Sequence, residues 1–224
     1  MMKNDTITFN SLQNTHTKID KRITYHLAGH AAAIYLGNKQ KDLPAVYFQI
    51  NINQQQMNGQ QANRFSQKYG SYTAEVEGGR LIQNLPLSFV ETASYFSWAQ
   101  YKEYRCAFEA DVINLLVGSL AEAKYVALCD GEPFNSNLMN VGALRFYEGC
   151  SDSALIAQYM ECLIPLTIER EQKLTELFLA AFRFVSNQAN WCAISALASF
   201  ISNEPKNTIP CEEAISLLEP QLAA

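Results

Sequence analysis

The chain holds only three histidines, His16, His26 and His30. Two of them stand four residues apart in Tyr25-His26-Leu27-Ala28-Gly29-His30-Ala31. On a helix this spacing puts both imidazoles on one face, about 6 Å apart. That is how one helix offers two nitrogens to a zinc ion. The same spacing also suits two histidines packed on an amphipathic helix with no metal between them. His16 has no partner in sequence and reads as a surface residue.

A zinc hydrolase of this kind carries H-E-x-x-H, in which the glutamate is the base for the metal-bound water. In the FtsH-type zinc metallopeptidases the motif reads H-E-A-G-H-A after an aliphatic-x-aromatic start. The segment Ile23-Thr24-Tyr25-His26-Leu27-Ala28-Gly29-His30-Ala31 resembles it at every position but one, where Leu27 replaces the glutamate. Downstream, Leu115-Leu116-Val117-Gly118-Ser119-Leu120-Ala121-Glu122 resembles the L-x-A-G-x-x-A-E helix of that family. Gly149-Cys150-Ser151-Asp152 resembles the segment that supplies its third ligand, once one residue is dropped from the alignment. Trp191-Cys192-Ala193-Ile194, with Leu197-Ala198, is similar to a helix of its stand-alone relatives.

The resemblance implies a zinc site of His26, His30 and Asp152. It also implies that Gly118 lets its helix pack closely beside the histidine helix. Leucine cannot shuttle a proton, so no catalytic residue is expected at position 27. Glu122 stands as a substitute base, as a partner of the ligands or as an alternative ligand. Its plainer reading is a buried glutamate paired with a cation. Asp152 reads equally as a helix N-cap. Cys150 could approach a metal from the same loop, or be a buried thiol. The function implied is that of a pseudo-peptidase that binds a metal, a protein segment, or both. The alternatives are a peptidase with a substitute base and a metal-free structural protein.

Local patterns place these residues on elements. A helix is expected over 20–37, ended by Gly37. Residues 45–52 alternate, with Val46, Phe48, Ile50 and Ile52 on one face, which predicts a strand. Such a strand could pair at a free edge with an extended peptide. Residues 53–68 are rich in Gln and Asn and read as an exposed loop. A hairpin is expected over 72–82, turning at Gly78-Gly79. Helices are expected over 106–129, from Ser151 onward, from Pro165 to about 187, and near 191–201 and 212–218. The fold class is therefore mostly α (α+β), a helical domain over 18–224 with a small inserted sheet, preceded by a flexible arm over 1–17.

Composition narrows the partners. The 224 residues are 48% hydrophobic and 17% charged, enough for one domain with a sizeable core. The net charge is −5 and no Lys/Arg-rich block occurs, which speaks against nucleic acid. No P-loop motif is present, so no ATP is expected. No uninterrupted run of about 18 apolar residues occurs, so no membrane span is expected. The six cysteines form no C-x-x-C pair and the first twenty residues contain no apolar signal core. Together they predict a reducing, cytoplasmic setting. A protein or peptide partner fits this composition, as does a homo-oligomer.

Overall fold

The computed structural model describes residues 19–54, 72–147, 150–204 and 206–219. The expected N-terminal arm, His16 and most of the Gln/Asn-rich loop lie outside these residues. The rest is mostly helical with one small antiparallel sheet, as the sequence pattern predicts.

The first helix, α1 (Lys21–Ala32), starts where Asp20 accepts a hydrogen bond from the Arg22 amide. It does not stop at Gly37. A π-helical turn, Ala33–Gly37, carries it into a last short turn, Asn38–Gln40. Gly37 has helical φ here, so its freedom to end the helix goes unused.

Next comes β1 (Phe48–Gln54), whose Phe48, Ile50 and Ile52 are buried as the alternation requires. It pairs antiparallel with β2 (Tyr72–Gly78), Ile50 opposite Val76. Gly78 and Gly79 both take positive φ, +80° and +74°. They do not turn the chain into a second strand, however. Residues 80–82 leave the sheet, because the Asp111 carboxylate captures the Leu81 and Ile82 amides at 2.9 and 2.8 Å. The strand that completes the sheet, β3 (Thr208–Pro210), comes from near the other end of the described chain. The order is β2-β1-β3, so β1 is the central strand. The expectation that β1 offers a free edge is thereby corrected: both of its edges are paired, and the outer strand beside α1 is β2.

After a short helix, α2 (Phe89–Ala93), the long α3 (Trp98–Asp130) crosses the molecule. It starts eight residues earlier than the apolar period indicates, because Ser97 and Gln100 form a capping box. Gly131, at φ +69°, closes it. By length and composition α3 could cross a bilayer, and 61% of its most apolar stretch is buried inside the protein.

The chain then forms α4 (Cys150–Leu163), α5 (Thr167–Ser186), α6 (Gln188–Asn203) and α7 (Cys211–Leu218). Pro165 precedes α5 instead of entering its first turn, and Arg170 donates back to the Ile164 and Pro165 carbonyls. Two apolar cores result. One joins α1 to the sheet, α6 and α7. The other joins α3 to α2, α4 and α5.

The α1–α3 contact sits between these cores, and two glycines set its closeness. A Cβ at Gly29 would stand 2.7 Å from the Ala121 Cβ and 2.9 Å from the Val117 carbonyl. Across the contact, a Cβ at Gly118 would strike the His30 ring. The glycine inside the long apolar helix, a cost to that helix alone, is what lets the two backbones meet.

Candidate metal centre

His26 and His30 project from α1 toward α3, both buried. Asp152, the third residue of α4, meets them there; its place in the first helical turn replaces the N-cap reading. The three ligand atoms form a nearly equilateral triangle. His26 Nε2 is 3.0 Å from His30 Nε2, and Asp152 Oδ2 is 3.2 Å from the first and 3.1 Å from the second. Zinc bonds of about 2.0–2.1 Å would separate tetrahedral ligand atoms by about 3.3 Å. The triangle therefore fits one face of a metal polyhedron, and the cluster could hold a metal ion.

The far side of each ring is also occupied. His30 Nδ1 lies 2.9 Å from the Asn114 carbonyl oxygen. A carbonyl can only accept, so Nδ1 carries a proton, and a neutral His30 would turn its Nε2 lone pair to the centre of the triangle. His26 Nδ1 faces Glu122 Oε2 at 3.4 Å, outside good hydrogen-bond alignment. Neither atom has a hydrogen bond to any other described residue. Glu122 is fully buried, and its other oxygen accepts from Arg22 Nη2 at 2.8 Å and Nε at 3.1 Å. A histidine that binds a metal commonly places its second nitrogen against a carbonyl or carboxylate in this way.

Charge is arranged to match. Burial lowers the pKa of His26, but the Asp152 carboxylate in contact with the ring and the Glu122 carboxylate behind it outweigh burial and raise the pKa to about 10. Burial likewise pushes Asp152 up. Attraction to His30 and His26 and hydrogen bonding with them prevail and hold it well below the usual carboxylate range. The triangle is thus already stabilised by positive charge at its centre, the role a bound cation would take over from the His26 proton.

Leu27 lies in the same cleft, 1% exposed, as part of the apolar core beneath α1. The cleft measures about 360 Å³ and is walled by α1, α3, α4 and β2. Among the described residues, three further carboxylates line it. Asp111 is committed to the Leu81 and Ile82 amides and to the Tyr159 hydroxyl at 3.0 Å. Glu77 accepts from Gln49 and Asn51 on the polar face of the sheet, and Glu75, two residues before it, shares that face. Glu122, placed by the sequence near the site, stands behind His26 and not over the triangle.

Of the residues singled out from sequence, His26, His30, Asp152, Glu122 and Leu27 all come together. The side chain of Cys150 lies outside the described residues. Sequence reasoning missed Arg22, although it stands one helical turn before His26. It also missed Asn114, whose part is played by a backbone oxygen that carries no sequence signal. Comparison with known proteins found no matching family model, no similar curated protein and no similar solved structure.

Proposed function

We propose that this protein is a non-hydrolytic, FtsH-peptidase-like domain that binds zinc through His26, His30 and Asp152 and receives an extended protein segment along β2. The observation that carries the reading is the triangle itself, built around an open face; leucine stands at the sequence position where H-E-x-x-H holds its base. When bound, zinc supplies Lewis acidity and one or more open positions. The residues of this chain hold the ion and limit its chemistry. His26 and His30 present lone pairs, fixed in direction by Glu122 and the Asn114 carbonyl. Asp152 supplies the neutralising charge. Leu27 offers no site for a proton, and loss of a general base costs on the order of 10²–10⁴ in rate.

The peptide side of the reading rests on β2. Among the described residues its outer edge has no strand partner, and residues 74–80 line the cleft. A segment added there would gain backbone hydrogen bonds while passing the ligand triangle. The central strand β1, paired on both sides, leaves this role to β2.

Metal analysis tests the reading directly. Protein purified without chelator and then dialysed against zinc should retain one ion per chain. His26→Ala, His30→Ala and Asp152→Ala should each lose it. A wild-type protein that retains no ion, or a triple variant that retains the same amount, would sink the proposal.

A further inference from the structure

Asn114 lines the metal cleft with one side and a second depression, of about 270 Å³, with the other. The depression lies where the π-helical turn after α1 meets α3, α5 and the start of α6. Its floor is apolar, made of Ala33, Ile113, Ala180 and Phe184. Polar and cationic side chains line the depression too, among them Lys41 and Arg183.

These two cations stand out in a chain of net charge −5. Neither side chain makes a hydrogen bond or an ion pair with any described residue. The carboxylate that acts on Lys41, Glu109, is already held by Arg105 at 3.0 Å and Lys173 at 2.7 Å. In the same lining, Asn187 spends its side-chain oxygen on the Asn190 amide, which leaves its NH2 group as a donor. With its amide oxygen and nitrogen exchanged, which the surrounding acceptors favour, Asn114 would donate to the Ala33 and Ala110 carbonyls, both at 3.2 Å, and brace the floor.

We propose that this depression is a binding site for a small organic anion. Lys41, Arg183 and Asn187 would receive a carboxylate or phosphate group, and the apolar floor would receive a short carbon skeleton. The chemistry comes from the lining. Two cations unpaired among the described residues, with an amide donor, complement an acceptor-only group. A hydrocarbon floor beside them favours an organic acid over a bare inorganic ion. The site is separate from the metal triangle and does not depend on the reading given for it.

The test is thermal unfolding with inorganic phosphate or succinate, each compared with sodium chloride at equal ionic strength. Three forms are needed: wild type, Lys41→Met/Arg183→Met, and Gly37→Leu. The double variant removes charge at exposed positions. In Gly37→Leu the new Cβ meets only ordinary contacts, 3.7 Å to the Asn114 amide and 3.8 Å to Phe184, while the longer side chain fills the depression. At ten times Kd the wild type should gain about 3–6 °C. Succinate should act at lower concentration than phosphate. Both variants, folded by circular dichroism, should respond no more than to chloride. Equal responses in all three forms, or no response above chloride in the wild type, would overturn the site. A response to phosphate but not to succinate would overturn the role of the apolar floor.

Discussion

Gly118 lies so close to His30 that a Cβ placed on it would stand 2.3 Å from Nε2, the nitrogen aimed at the ligand triangle. One missing methyl group in α3 thus sets the position of a ring in α1. Gly118→Ala should displace His30, lowering stability by about 1–3 kcal/mol through overpacking. It should also weaken zinc binding at least tenfold. Chemical denaturation and competition titration with a chromogenic chelator measure the two effects. Undiminished zinc affinity in this variant would show that the ring is not positioned by the contact.

The Arg22–Glu122–His26 chain should matter to the ion without touching it. Glu122→Gln keeps the shape and removes the charge behind His26. Zinc affinity should fall by about 10–100-fold, as for other partners of metal-bound histidines. Glu122→Ala should also destabilise the fold, because it removes the buried carboxylate that accepts from Arg22 and faces His26 Nδ1. A Glu122→Gln protein that binds zinc like the wild type would remove this role.

Leu27→Glu asks whether a carboxylate at position 27 confers hydrolysis. Wild-type protein loaded with zinc should not cleave casein. The variant should gain weak cleavage that a chelator abolishes. Because position 27 is 1% exposed and packed in the core, the carboxylate should also cost about 2–4 kcal/mol before zinc is added. Clear casein cleavage by the wild type would defeat the pseudo-enzyme reading.

Asp111 fastens the chain leaving β2 onto α3 and α4, with two amides and the Tyr159 hydroxyl on its carboxylate. Asp111→Ala should destabilise by about 2–4 kcal/mol, since these buried donors lose their acceptor. Burial raises the Asp111 pKa above its ordinary 3.8, against the lowering effect of those hydrogen bonds. The folded state therefore holds a proton at pH values where the unfolded chain has released it. In that window stability falls as pH rises. The stability of the wild type relative to Asp111→Asn should decline from pH 3.8 upward and then level off. Denaturation at stepped pH measures this, and a difference that rises with pH would contradict it.

Much of the framework was legible in the sequence, because its signals act over a few residues. The i,i+4 histidine pair, the alternation of Phe48, Ile50 and Ile52, and the paired glycines at 78 and 79 are local patterns. Each specifies a face or a backbone angle wherever the segment ends up. The identity of Leu27, and with it the absence of a base there, is likewise fixed by sequence alone.

The partners of these local features were decided by tertiary packing. Asp152 reaches His30 across 122 positions, and its meeting with the triangle depends on how α4 seats against α3. Arg22 and Glu122 are 100 positions apart and pair only because Gly29 and Gly118 bring two helices together. The central place of β1 needs a three-residue strand, β3, too short to have a period of its own. Gly37 carries a stop signal that packing overrides with a π-turn. Local rules fix directions and propensities over a turn or a strand. Which faces meet depends on the burial of apolar surface contributed by the whole chain, and no short window of sequence contains that sum.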